Sequence, residues 1–503
     1  METSPLHSLR SASTTDRPSP LLTTFYSFKG GVGRTQSMFN VAARLAALRR
    51  KVLMVDVDLE APGLSIGLLD EAARRKKEGF AEIAEALLRD LKIAFDANED
   101  ADYFDALLDD FRARVQRALH EFDPLPMPPK QQELAHRLRE QFDFFTEPSG
   151  ALSLLSTGRI RENYTQQVAQ LPLADAYTDR LDAPMQTVVA SLVEDFATPV
   201  DPNRLGTRGH VFAAFVRELL HTARVPDRGE SFDHVLIDAR SGLADVGGLC
   251  LIGLADARVV LTGLNEQNVT GTEMVLDDVA QVDAHARDSD RLIVVFSPVP
   301  EGEVQLLEDR LTDAKETLGV DERQIHLLHY HPRIALEEKA FAEPIHEHTR
   351  IFDEYEALTD DLLALTQSDA RTLVATALDR VRESGSDEEE ADDENRYEQL
   401  VSELIPAAFL DEDHVESVVD GLCSQMSRSG PHEPDALVLF DLWTALSPDE
   451  VRVLGTTANY YSDTVRRYAS VINERRIDLL FQHSFDLHER ITERNPEEVR
   501  AWY

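Results

Sequence analysis

The chain has 503 residues, 43% of them hydrophobic, and sets 51 Lys and Arg against 92 Asp and Glu for a formal net charge of -41. That length supports one large core with at least one companion unit, and the acidity opposes nucleic acid or anionic lipid unless a cationic face is segregated locally. No apolar run reaches the roughly 18 residues of a membrane span, and Cys250 and Cys423 lack the spacing of a disulfide framework or zinc site. A cytoplasmic protein with two buried thiols is expected.

Residues 1–20, rich in Ser, Thr and Pro, read as a mobile tail. From Leu21 the pattern changes. LLTTFYSF is apolar, β-branched and aromatic, and it runs into a Gly-rich turn, then the helical run QSMFNVAARLAALRR, then KVLMVDVD. Strand, loop, helix and strand in that order open a parallel sheet. Further short apolar runs at 152–158, 234–242, 257–263, 291–297 and 324–330 have the continuous hydrophobicity of strands covered on both faces.

Two stretches between these runs have helical spacing. Residues 66–148 include EIAEALLRDLKIAF and YFDALLDDFRARVQRALHEF, and a structureless connection of that length is improbable, so a helical insertion is predicted. A looser helical stretch fills 159–230. Helices continue to about 383, and residues 384–396 follow as an acidic linker with seven acids between Asp387 and Glu394, a composition that cannot bury a core. Beyond it, Ser447-Pro448-Asp449-Glu450 is a helix start, and 397–503 is read as an α-helical C-terminal domain. The predicted architecture is therefore α/β: a mostly parallel, doubly wound sheet over 21–383, carrying the insertion at 66–148, with a separate helical domain after it.

The candidate chemistry sits at strand ends. In Lys29-Gly30-Gly31-Val32-Gly33-Arg34-Thr35-Gln36, glycines let backbone amides converge on an anion, and the following helix offers its positive N-terminus to a phosphate. Thr35 supplies a hydroxyl of the kind that ligates Mg²⁺ beside the β- and γ-phosphates. Asp56 and Asp58 close the second strand, where open α/β sheets bind ligands. Asp238 ends the run VLI and precedes Ala239-Arg240-Ser241-Gly242, a candidate nucleotide-sensing loop. His329 and His331 have no partner at metal-ligand spacing in the sequence.

KGGVGRT, then VLMVDVDLEAPGL, then VLIDARSG resemble the deviant Walker A, A′ and B series of the ParA/MinD-like ATPases, in a KGGVGR-type subgroup. The resemblance covers roughly 21–350 without the insertion. It implies a P-loop ATPase that binds ATP and Mg²⁺, with two protomers sandwiching two nucleotides as an ATP-dependent homodimer. Lys29 would reach the partner's phosphates and Asp58 would position the attacking water; Thr35, Asp56 and Asp238 would serve the metal. Residues Asn265 to Asn268 would lie near the switch region, and Pro332 and Arg333 near the adenine. Where most relatives have a second P-loop lysine, this chain has Arg34, whose forked, bulkier head keeps the charge but is not interchangeable with lysine, so slow hydrolysis is expected.

The resulting expectation is a bacterial-type, ATP-dependent dimerisation switch that controls a protein partner through the insertion or the C-terminal domain, as in a defence or signalling system. A DNA-partition or cargo-positioning ATPase and a non-hydrolysing, nucleotide-bound scaffold are the alternatives. A tyrosine kinase fits less well, because Tyr460, Tyr461, Tyr468 and Tyr503 are dispersed.

Overall fold

In the computed structural model, residues 20–366 are described except 130–131, 133–134, 137–148, 161–172, 198–204, 243–244, 289–290, 301, 303 and 333–348. The expected tail at 1–20 (all but its last residue), linker at 384–396 and helical domain at 397–503 lie outside the described residues. The chain divides into two compact units, residues 1–126 with 149–365, and residues 127–148 with 366–503.

The first unit is built around an eight-stranded sheet: β1 (Leu21–Ser27), β2 (Lys51–Asp56), β3 (His120–Phe122), β4 (Ala151–Leu155), β5 (His234–Asp238), β6 (Ala257–Thr262), β7 (Leu292–Val299) and β8 (Ile325–His329). The spatial order is β3-β4-β2-β5-β1-β6-β7-β8. Every pairing is parallel except the β3–β4 edge. Every residue of β4, β5 and β6 is buried, as are all but the first of β1 and β2. This is the pattern that continuous Val/Leu/Ile runs produce when helices cover both faces. All seven predicted strands are present.

The eighth, β3, arises inside the stretch expected to be helical. Three residues of the antiparallel edge, His120, Glu121 and Phe122, pair with Leu154, Ser153 and Leu152, too short a run for alternation to register. The rest of the described insertion is mainly helical: α2 (Gly63–Leu68), α3 (Glu71–Lys76), α4 (Phe80–Ala97) and α5 (Ala101–Ala118) follow α1 (Arg34–Ala47). Asp100 caps α5 by accepting from the Tyr103 amide at 3.1 Å, satisfying one of the amides a helix start leaves open. Phe104, Leu108, Phe111 and Val115 form its buried stripe at the spacing of one helix face. Phe104 meets Phe95 of α4 at 5.5 Å between ring centres and Phe215 at 6.3 Å. Phe215 belongs to the helix Arg208–Thr222, the last before β5. The insertion is thus joined to the sheet-flanking layer by aromatic packing, reinforced by an ion pair of 2.7 Å from Arg112 to the buried Glu218.

No described helix is long and apolar enough to cross a membrane. Cys250 is buried; Cys423 lies outside the described residues.

Two buried histidines give this fold a pH dependence. Burial pushes His221 down to about 3, helped by the charge of Arg217, and pushes His234 down to about 3, helped by Arg50. Both are neutral when folded but gain a proton near 6.5 when unfolded, so below that pH the unfolded chain binds more protons. Their stabilisation is therefore complete above about pH 6.5 and is lost as pH falls toward 3, by up to about 1.4 kcal/mol per pH unit for each histidine. Denaturant unfolding between pH 7 and 4.5 should show this decline, and His234→Gln should make it shallower; an unchanged slope would show that His234 titrates normally in the fold.

Candidate functional site

Strand register builds the site. Because β5 lies between β1 and β2, Asp238 stands opposite Phe25 on one side and Asp56 on the other. The last residues of three neighbouring parallel strands, and the loops leaving them, therefore meet at one edge of the sheet. The loop after β1 turns through Gly31 and Gly33 at φ +84 and +78, left-handed conformations that glycine adopts without steric cost. Gly33 is the residue at which α1 begins. Turns of this kind point successive amides into a concavity that accepts anions, in line with the helix dipole. Val32 is buried and anchors the loop, while Gly30 and Gly31 are exposed.

Beneath the loop lies a tight ionic cluster. Arg34 is 7% exposed, and each of its three guanidinium nitrogens has a protein partner. Nε donates to Asp238 Oδ1 at 2.6 Å, one Nη to Asp58 Oδ2 at 2.6 Å and the other to Ser27 Oγ at 3.4 Å. Thr35 Oγ1 donates to the second oxygen of Asp238 at 2.7 Å. As the counterpart of a P-loop lysine, Arg34 is expected at a nucleotide phosphate; in the fold it faces the carboxylates. Two acids buried at neighbouring strand ends need a counter-charge more urgently than an open loop does.

The electrostatics follow from burial. Desolvation alone would lower the Arg34 guanidinium, but the charges and hydrogen bonds of Asp238 and Asp58 outweigh it and raise it. Burial raises the Asp238 carboxyl against the opposing pull of Arg34. With donors from Arg34 and Thr35 on its two oxygens, Asp238 acts as an acceptor only, and the pair is read as ionised. Asp56 is fully buried and goes well above the usual carboxylate range, first through desolvation and then through the Asp238 charge. Its Oδ2 accepts from the Ser65 amide at 2.8 Å and hydroxyl at 2.7 Å, whereas Oδ1 has no partner.

Mg²⁺ suits this donor set. Thr35, Asp238 and the unpartnered oxygen of Asp56 are hard oxygen ligands. Among the described residues no three His, Cys, Asp or Glu side chains form a metal-holding group by themselves, and Mg²⁺ typically takes only one or two protein groups beside phosphates and waters.

Several positioning residues were not legible as such. Ser65 holds Asp56 and also accepts from the Thr157 amide at 3.0 Å, tying α2 to the loop after β4. Tyr26 donates from its hydroxyl to the Gly242 carbonyl at 3.1 Å, and the Gly242 amide donates to Ser27 at 3.3 Å, fixing the end of the loop after β5 to β1. Arg240 pairs with Glu60 at 2.6 Å, linking that loop to the one after β2. Gly271, on the helix Glu266–Val282, lies so close to the Phe28 ring that a Cβ there would fall 2.1 Å from it. Gly271 inside a helix and Ser65 in a six-residue helix carry no motif of their own.

Among the described residues Lys29 has no hydrogen bond or ion pair, and it is partly exposed beside Gly30. Asn265 caps the helix Glu266–Val282, accepting from the Asn268 amide at 3.0 Å. Pro332 is exposed past β8, and Arg333 lies outside the described residues. His329 is engaged by Glu354 through both its amide, at 2.8 Å, and its Nδ1, at 2.6 Å; it serves an internal hydrogen-bonded pair.

Ser65→Ala should remove one buried hydrogen bond from Asp56 and one acceptor from Thr157. A loss of about 1 to 3 kcal/mol is expected, measurable by urea unfolding, and a change under about 0.5 kcal/mol would show that solvent replaces the hydroxyl.

The sequence pattern of the CobQ/CobB/MinD/ParA nucleotide binding domain matches residues 23–320. Similar solved structures include a plasmid partition protein from Borrelia burgdorferi, 12% identical over 69% of this chain and 99% of its own, with a TM-score of 0.33. An ATP complex of a McdA variant from Cyanothece is 12% identical over 69% of this chain and 97% of its own, with a TM-score of 0.39. MinD from Pyrococcus horikoshii, complexed with Mg-ADP, is 14% identical over 69% and 99%, with a TM-score of 0.32. No curated protein matches. The family match spans more than half the chain and takes in the loop after β1, both strand-end acids of β2 and β5 and nearly all of the parallel sheet: the protein belongs to the CobQ/CobB/MinD/ParA family of ParA/MinD-like P-loop NTPases.

Proposed function

We propose that this chain is an ATP- and Mg²⁺-dependent ATPase switch. The observation that carries the proposal is the meeting of a left-handed glycine loop, the Thr35 hydroxyl, Asp58 and Asp238 at the ends of β1, β2 and β5, all within one hydrogen-bonded cluster. Amides of Gly30 to Thr35 would take the phosphates, with Val32 anchoring the loop and Gln36 in the first turn of α1. Thr35, Asp238 and Asp56 would hold Mg²⁺, which supplies neutralisation of phosphate charge. Asp58 would hold the attacking water by accepting its proton-bearing side, a positioning role common in phosphoryl transfer.

Lys29 is the remaining cation of the loop. Its lack of a described intramolecular partner suits a role toward phosphates, including those of a second protomer in an ATP-dependent homodimer. Dimerisation would be read out by the loop Ala239 to Gly242, whose ends are already tied to β1 and, through Arg240 and Glu60, to the loop after β2. Its output is a protein partner docked through the insertion or the residues beyond the acidic segment. A net charge of -41 weighs against a DNA-coating partition role. A defence or signalling system is the setting this reading favours.

The engagement of Asp58 by Arg34 at 2.6 Å supports a second reading, in which turnover is slow or absent and bound nucleotide acts as a scaffold. Phosphate release separates the two. Asp58→Ala should retain ATP binding while phosphate release falls by about 10²-fold or more; equal turnover by variant and parent would remove Asp58 from the mechanism, and no turnover in the parent would establish the scaffold. Lys29→Ala should bind ATP but stay monomeric in light scattering, and a variant that dimerises and hydrolyses like the parent would overturn the sandwich.

A further inference from the structure

The guanidinium of Arg34 is placed where a divalent cation's charge would be needed. Its Nε and one Nη sit on Asp238 and Asp58, and its remaining Nη turns to Ser27. No nitrogen is left uncommitted toward the glycine loop. Asp238 has donors on both oxygens, from Arg34 and from Thr35, and Thr35 is the hydroxyl with which it would share Mg²⁺. One guanidinium holds two carboxylates, all of them buried.

We propose that Arg34 is an exchangeable counter-ion, so that phosphate and divalent cation enter this pocket only together. This rests on the nucleotide-site reading above and adds its regulation. If Arg34 turns to a phosphate alone, Asp58 and Asp238 stay buried without a counter-charge, a costly arrangement. If a divalent cation approaches alone, Arg34 repels it and already holds the acceptor oxygens it needs. When both arrive, the guanidinium goes to phosphate, Asp238 passes from guanidinium to metal, and Asp58 is left facing the cation's charge and the water it would position. A lysine at this position has one compact ammonium and cannot span two carboxylates with separate nitrogens as the planar fork does, so the coupling belongs to the arginine.

Asp58 provides the sharpest test, because the exchange predicts that weakening this side of the cluster improves one kind of binding. With the full-length chain, ATP affinity is measured by calorimetry in EDTA and in excess Mg²⁺. The parent should bind ATP at least about 100-fold more weakly in EDTA. Asp58→Asn should bind ATP in EDTA roughly tenfold more tightly than the parent does, since releasing Arg34 then strands one carboxylate instead of two, while its affinity with Mg²⁺ changes only a few-fold. Arg34→Lys, a milder change to the same cluster, should shrink the ratio of the two affinities by about tenfold. Equal ATP affinity with and without Mg²⁺ in the parent would overturn the exchange and leave the nucleotide pocket standing. An Asp58→Asn variant that loses thermal stability with no gain in metal-free affinity, or an Arg34→Lys variant with the parental ratio, would also overturn it. Absence of ATP binding under both conditions would overturn the nucleotide reading itself, and the exchange with it.

Discussion

Three acids buried at one edge of a parallel sheet form a constraint on which the rest of the site depends. The register sets Asp56 opposite Asp238, and the chain passes Asp58 two residues after Asp56. Like charges this close and this far from water cannot all ionise without compensation. The fold answers the conflict in two ways: Arg34 pairs with both Asp58 and Asp238 and offsets one of their two charges, and Ser65 donates twice to an Asp56 whose carboxyl is driven strongly upward. Breaking a buried pair by removing one partner typically costs about 3 to 5 kcal/mol, so this arrangement governs both the stability of the strand ends and what a ligand must displace.

The remaining contacts transmit that arrangement outward. Arg34 opens α1, so its side chain is carried by the same element that presents the glycine loop's amides. Thr35 and Asp238 join that helix start to β5. Tyr26, whose hydroxyl is pushed up to about 12 by burial, fixes the far end of the loop after β5 at Gly242. A charge rearrangement at Asp238 thus has a short covalent and hydrogen-bonded route to the loop that would report nucleotide state, as switching by local electrostatics requires. The insertion lies outside this route, packed through Phe104, Phe95 and Phe215 onto the helix before β5.

Much of the fold was legible because fully buried parallel strands carry continuous apolar runs, and residues such as Val52 to Val55 and Val235 to Ile237 leave no other reading between their flanking turns. The edge strand at His120 to Phe122 was not, since three residues at the end of an amphipathic helix have no period to detect. The motif residues Gly31, Gly33, Thr35, Asp58 and Asp238 could be picked out from the sequence, and they lie at the ends of neighbouring strands, where the proposed site is built. Two things were hidden. The counter-ion relation of Arg34 depends on strand register, which brings together residues 204 apart in sequence. Ser65 lies in a six-residue helix whose proximity to Asp56 is a property of the turn between them, with no signal in composition.

The central claim concerns where one guanidinium sits in two states, and crystal structures of the chain without ligand and with Mg²⁺ and a non-hydrolysable ATP analogue would test it most directly. The account predicts Arg34 hydrogen-bonded to Asp58 and Asp238 without ligand, and in the complex moved onto phosphate with Mg²⁺ beside Thr35 and Asp238. An Arg34 that keeps both carboxylates while nucleotide and metal are bound, or that points away from them in the free protein, would contradict it.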